Sequence, residues 1–364
     1  MEVSTIFLQK ISSAFNIEGN FLSCRPYGSG HINDTFLIEF TGLKKRFIFQ
    51  RINRYVFKEP EKLMENISRV LEHLAKFKES SDERSCLNLI HTKGNKNFYI
   101  DENGDYWRCY IFIEGAATYD KLEKPEQAYF AAKAFGKFQK QLSSLGGKRL
   151  HDTIPDFHNT PKRLSRFLEV LQKDSLNRAK FAKEEIDFIL KRENLANFIE
   201  ERRKTGEIPE IITHNDTKIN NVMLDLKTGE GVCVIDLDTV MPGVALYDFG
   251  DMVRTSAASS MEDEKNLSSV KIRTDIFEEL VKGFIEGRGG TLNELEMEMM
   301  PISGRVITFE TGIRFLTDFL EGDIYFKIKR DNHNLDRAKV QFKLVQSLEE
   351  EEEKMNKILK KYTS

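Results

Sequence analysis

Asp216, Asn221 and Asp236 are the residues of this chain whose types and spacing best suit chemistry, and the chemistry they suit is the movement of a phosphoryl group. They lie in the stretch IITHNDTKINNVMLDLKTGEGVCVIDLDTVMPGVALYDFGD, residues 211–251. Transferring a γ-phosphoryl group requires a fixed carboxylate that aims the acceptor hydroxyl and takes its proton. It also requires oxygen ligands a few ångströms away for the magnesium on the nucleotide phosphates. Asp216 suits the first task. Asn221 can turn its amide oxygen back to the same point if 217–220 close a tight loop. Apolar VMLDL and VCVID flank Lys227–Gly231, which reads as a β-hairpin. A hairpin returns the chain on itself, so Asp236, at the end of the second strand, lands beside Asn221 as the anionic metal ligand.

The neighbours of these three have supporting roles. His214 braces the loop that presents Asp216. Asp238 falls on the side of Asp236 if the backbone stays extended, and there it assists the metal. Asp248-Phe249-Gly250 spells the D-F-G of protein kinases, whose aspartate holds magnesium. It lies 32 residues beyond Asp216 and does not end the hairpin, so Asp248 is expected as a structural carboxylate opening the next helix.

The remaining chain must build a frame for this stretch. Its 364 residues, 40% of them hydrophobic, suffice for two domains or one two-lobed unit. With 55 basic against 58 acidic residues the net charge is −3, which gives no field for nucleic acid. Cys24, Cys86, Cys109 and Cys233 lack C-x-x-C spacing, which argues against a zinc site or disulfide framework and fits a reducing cytoplasm. The opening MEVSTIFLQK does not read as a secretory signal, and no run nears the roughly 20 apolar residues that span a bilayer. A cytoplasmic protein with no membrane, nucleic-acid or obligate protein partner is expected.

In order, a helix over 2–16 precedes strands FLSCRP, DTFLIEF and KRFIFQRI. Between the first two strands lies a turn with Gly28, Ser29 and Gly30, where missing Cβ atoms let backbone N–H groups approach phosphate oxygens. His31 and Asn33 stand at its far edge. The third strand offers Gln50 and Arg51, and alternation lets only one of them face the cleft. Residues 60–77 form a helix with Pro60 at its start, carrying Glu61 and Glu65. A hairpin and strand then run into Phe112–Ala117, expected as a hinge where backbone groups of Ile113 and Gly115 meet adenine. Helices follow from Pro125, from a Thr160-Pro161 start, and over 183–204, with His151 and His158 read as surface histidines of the connecting loop. After the catalytic stretch come helices at 270–286, 291–320 and 331–361. The lobes divide as 1–113, covering the nucleotide, and 114–364, holding the catalytic and acceptor groups.

H-x-D-x-x-x-x-N followed by I-D at a strand end resembles the aminoglycoside phosphotransferase and choline kinase superfamily. HNDTKINNV, VIDLDTVMPG, YDFGD and the G-H-I-N-x-T run at Gly30–Thr35 are similar to the N-acetylhexosamine 1-kinase group. This likeness implies an α+β, two-lobed protein-kinase-like fold: an N-lobe antiparallel sheet with a helix, and a larger, mostly helical C-lobe. It implies ATP and Mg2+ as cofactors. It further implies that His31, Asp216, Arg314 and Tyr325 contact an N-acetylated sugar whose C1 hydroxyl is phosphorylated. Gln50, where the fold usually carries a phosphate-binding lysine, looks like a feature of that group. A kinase for another sugar, choline, homoserine or an aminoglycoside is the nearest alternative, and a non-catalytic binding module with this fold the next.

Overall fold

A computed structural model describes residues 4–28, 30, 32–77 and 83–363. The N-terminal lobe contains α1 (Thr5–Ser12), β1 (Phe21–Pro26), β2 (Asp34–Phe40), β3 (Phe47–Arg51), α2 (Pro60–Leu74), β4 (Leu89–Ile90), β5 (Tyr99–Ile100) and β6 (Tyr106–Ile111). The strands form one antiparallel sheet in the order β1-β2-β3-β6-β4, with β5 also on β6. Side-chain alternation divides the sheet between two helices. Phe47, Phe49, Trp107 and Cys109 pack with Leu8, Ile11 and Phe15 on the α1 side. Ile48 and Tyr110 pack with Leu63, Met64, Ile67 and Val70 of α2 on the other.

The chain then enters a second lobe: β7 (Ala116–Ala117), α3 (Pro125–Leu142), α4 (Thr160–Lys173), α5 (Lys183–Leu190), α6 (Glu193–Thr205), β8 (Ile211–Thr213), β9 (Val222–Asp225), β10 (Gly231–Val234), β11 (Met241–Gly243), α7 (Ala245–Ser256), α8 (Thr274–Arg288), α9 (Glu294–Glu298), α10 (Met300–Glu321), α11 (His333–Glu350) and α12 (Glu352–Thr363). The helices enclose one large apolar core that runs from Ala128 to Leu359. The two lobes have the kinase-like α+β architecture expected from the sequence. No helix among the described residues is long and apolar enough to cross a membrane.

Several boundaries differ from the expected ones. The helix of 291–320 breaks at Met299, and Pro301 at the start of α10 lacks the N–H that a continuous helix would use. Residues 183–204 break at Lys191–Arg192 and 331–361 at Glu351; nothing in the structure accounts for the second break. Asn159, not Thr160, caps α4, its side chain accepting the Lys162 N–H at 3.2 Å.

The catalytic stretch rests on α3 and α8, whose backbones touch. A Cβ on Gly136 would stand 2.7 Å from the Phe284 carbonyl oxygen, and one on Gly283 would overlap the Tyr129 carbonyl oxygen. These glycines set the spacing of the two helices. Gly283→Ala is expected to destabilise the protein by about 1–3 kcal/mol through overpacking, read from urea unfolding, despite the better helix propensity of alanine.

Candidate functional site

The loop that presents Asp216 is held through its backbone. The carboxylate of Asp248 accepts the N–H of His214 at 2.9 Å and of Asn215 at 2.7 Å. His214 Nδ1 accepts the Asp216 N–H at 3.3 Å, and Asp251 accepts the Thr217 N–H at 2.9 Å. Every N–H from 214 to 217 therefore has a partner. His214 donates from Nε2 to the Ile235 carbonyl at 2.8 Å, which fixes its neutral tautomer. Its ring packs on Phe135 and Phe138. Asp248 is fully buried in the first turn of α7, where burial pushes its carboxyl up while its three hydrogen bonds, from these two N–H groups and Gln139, pull the other way. Its role is structural, and it caps the catalytic loop rather than its own helix.

Asp216 stands a quarter exposed at the cleft. Lys218 Nζ lies 2.9 Å from its Oδ1, and the Asn221 amide donates to its Oδ2 at 3.0 Å. Burial alone would raise the Asp216 carboxyl, but the Lys218 charge and hydrogen bond bring it below the ordinary carboxylate range. An ionised carboxylate is the form that accepts a proton.

The hairpin forms as expected: β9 pairs β10 with Val234 opposite Val222, and the Ile235 N–H donates to the Asn221 carbonyl at 2.9 Å. The second strand ends at Val234, and Asp236 takes a left-handed conformation with φ 58°. That turn sends its side chain into the cleft, where among the described residues it has no hydrogen-bond or ion-pair partner. Its side chain is exposed at the cleft surface, yet partial desolvation between the lobes, with Asp238 and Asp216 close by, pushes its carboxyl up to about 6. An unpartnered carboxylate crowded by two others, next to an asparagine amide, suits a divalent cation. Magnesium commonly takes one or two protein carboxylates and completes its shell with water and phosphate.

Asp238 departs from the expectation of metal assistance. A 3-10 turn over Leu237–Thr239 replaces the extended backbone, and Asp238 is buried against Arg108 while accepting from the Asn33 amide at 2.6 Å. Arg108, on β6 opposite Gln50, also donates from Nε to the Gln50 Oε1 at 2.9 Å. Gln50 thus faces the cleft side. Arg51 stands on the opposite face, its guanidinium bonded to Asp34 at 2.6 Å and Asp105 at 3.3 Å above the Trp107 ring, so it does not line the cleft. The cation beside Gln50 is Arg108, which the sequence reading missed. Strand parity held the signal, since Arg108 shares its face with Tyr110.

Glu61 and Glu65 meet the Tyr106 hydroxyl and His151. The helix α2 instead contributes buried Asn66, whose amide donates to the Val240 carbonyl at 3.2 Å and the His151 carbonyl at 2.8 Å. At the hinge, Ile113 packs with Met223 and Cys233. The Gly115 carbonyl accepts the Leu226 N–H at 3.0 Å, so it ties the hairpin to the hinge. Gly28, at φ +81°, and Gly30 lie on the β1–β2 connection with open space where a Cβ would be. Ser29 and His31 lie outside the described residues.

Arg314 and Tyr325 line one cavity with Arg163, Arg166 and Asp318. It adjoins the catalytic loop through Phe157 and His158. His158, expected at the surface, is buried: Nδ1 meets Glu310 of α10 at 2.9 Å and Nε2 meets the Asn215 carbonyl at 2.9 Å. Burial alone would depress its pKa, but Glu310 and the Asn215 carbonyl raise it above the ordinary histidine value.

A two-lobed fold with this carboxylate, amide and carboxylate at its cleft defines a small-molecule phosphotransferase. Residues 23–280 match the phosphotransferase enzyme family, and the chain belongs to it. Among solved structures it is similar to choline kinase from Cryptosporidium parvum Iowa II (16% identity, 99% of each chain covered, TM-score 0.58). It is also similar to a microcompartment-associated aminopropanol kinase (13% identity, 97% of this chain and 99% of that one, TM-score 0.58). A third is spectinomycin phosphotransferase bound to ADP and spectinomycin (12% identity, 94% and 100%, TM-score 0.57). Arg314 and Tyr325 lie beyond the family match.

Two outcomes test these electrostatics. A carboxyl raised above its ordinary value near 4 opposes folding once ionised, an opposition absent below about pH 4 and complete above about 6. Without metal, Asp236→Asn is therefore expected to melt above the wild type at pH 8, with the gap closing as pH falls, and to lose the stabilisation that magnesium and ATP confer together. A histidine with a raised pKa stabilises fully below about 6.5 and loses this as pH rises through its folded value. His158→Ala, which strands Glu310, should cost about 3–5 kcal/mol at pH 6 in urea unfolding, with the difference shrinking at alkaline pH.

Proposed function

We propose that this chain is an ATP-dependent kinase that phosphorylates the C1 hydroxyl of an N-acetylhexosamine, N-acetylglucosamine or N-acetylgalactosamine. The observation that carries the acceptor class is the charge of the cavity holding Arg314 and Tyr325. Its carboxylates are engaged: Asp318 accepts the N–H groups of Ile324, Tyr325 and Phe326 and the Asn334 amide, and Glu321 pairs with Arg166. A choline, an ethanolamine or an aminoglycoside would bring a cation to arginines with no carboxylate left to receive it. A sugar finds donors in Arg314 and an aromatic face in Tyr325.

In the reaction Asp216 orients the sugar hydroxyl and takes its proton, and His214, Asp248 and Asp251 hold it in place. Lys218, half-exposed beside Asp216, is the cation positioned to meet the transferring group. Asp236 and the Asn221 oxygen would hold magnesium, which neutralises phosphate charge and orients the phosphates. The Gly28–Gly30 turn would cover the phosphates, and the backbone of Ile113 would receive the base. Arg108 fixes Asp238, and through it the metal loop, so the absence of a strand lysine at Gln50 leaves a cation in the same place.

Magnesium-dependent ADP release should be selective for N-acetylglucosamine or N-acetylgalactosamine over choline, homoserine and kanamycin, with 31P NMR locating the phosphate on C1. Asp216→Asn should lower turnover at least about a hundredfold while nucleotide still binds. Selective turnover of choline or kanamycin would refute the acceptor class, and normal turnover by Asp216→Asn would refute the base.

A further inference from the structure

The cavity between α4 and the end of α10 carries more positive charge than its own acids answer. Arg314 lies over Phe157, 5.3 Å from its centroid, and over Phe326 at 5.5 Å. Arg163 donates to the Phe157 carbonyl at 3.1 Å, and its Nε is buried with no hydrogen-bond partner. Among the described residues neither arginine forms an ion pair, whereas Arg166 has both Glu321 and Glu169. Glu310, a turn before Arg314, is committed to His158 and Thr160. Burial and the neighbouring Arg314 charge depress Arg163 below its ordinary value, against the opposing pull of Glu310.

We propose that this cavity receives an anion carried by the acceptor: a hexosamine bearing a sulfate, phosphate or carboxylate away from the reacting hydroxyl, gripped by Arg163 and Arg314. The proposal rests on the sugar-kinase reading and narrows its substrate class. Guanidinium groups present planar forks that match the oxygens of such anions. The cavity measures about 200 Å³, which is room for a charged substituent and part of its ring. Phe157, under Arg314 at 5.3 Å, and its neighbour His158, whose Nε2 meets the Asn215 carbonyl at 2.9 Å, connect the cavity to the loop that carries Asp216.

The test measures kcat/KM in the full-length protein for N-acetylglucosamine and N-acetylgalactosamine against their 6-sulfates and 6-phosphates and against N-acetylgalactosaminuronic acid. At least one anionic sugar should exceed the best neutral one by about tenfold or more. Arg163→Met should reduce that ratio at least about tenfold, and Arg163→Lys should restore part of it. Thermal melts in sodium sulfate against sodium chloride at equal ionic strength form the second arm. The wild type should gain more from sulfate than Arg163→Met, which subtracts the general stabilising effect of sulfate. Preferred turnover of neutral sugars, with equal sulfate gains in wild type and variant, would overturn the anion site and leave the sugar kinase intact. A sulfate gain lost in Arg163→Met, with no sugar phosphorylated, would keep the anion site and overturn the sugar reading. Turnover of choline with no sulfate difference would overturn both.

Discussion

Two carboxylates one helical turn apart, Asp248 and Asp251 on α7, hold the chemistry in place. Between them they accept three of the four N–H groups of residues 214–217, and the His214 ring accepts the fourth. A catalytic loop must expose one side chain while its backbone, turned through a left-handed Asn215 at φ 66°, lies where water cannot satisfy it. Burying two acids is costly unless donors surround them, and here the loop supplies three of the donors, beside Gln139 on Asp248 and the buried Arg254 on Asp251. The same bonds therefore neutralise the burial of the acids and the strain of the loop. The packing of α7 against α10, where Gly250 and Gly304 allow close approach, is in turn a condition for the aim of Asp216.

A second set of contacts joins the metal loop to the other lobe. Asp236 stays open toward the cleft because Asp238, two residues on, is drawn the other way by Arg108 and Asn33, and Asn66 of α2 binds the Val240 carbonyl. One short segment thus offers one unpartnered carboxylate and buries another. The electrostatic cost shows in Asp236, pushed up to about 6, and a cation would relieve it. The fold keeps a site of unrelieved charge and spends other residues on keeping it rigid.

The sequence conveyed the local parts of this design. Asp216, Asn221 and Asp236 belong to one loop and one hairpin, so their spacing alone implied that they meet, and the structure brings them together. The two-lobed α+β architecture was legible from strand and helix periodicities with the family likeness. Asp251 was within reach too, because Asp248 and Asp251 are three apart on one helical face. Arg108, Asn66 and His158 were not, since each reaches the site from an element remote in sequence and their residue types suit a surface as well as a core. Alternation left Gln50 and Arg51 equal until the packing of Phe47 and Phe49 on α1 decided which face was which. Asp238 was misread because extended backbone was assumed where the chain turns.

The tie between Asp238 and Arg108 bears on how the molecule moves. Widening the cleft to let a spent nucleotide leave would part β6 from the Leu237–Thr239 turn. That separation would strip a fully buried guanidinium of its counter-charge and the Asn33 amide of its acceptor at the same moment. Contacts of this kind break together, so such a widening would be one cooperative step rather than a gradual flexing, with Asp236 carried on the side that lets go.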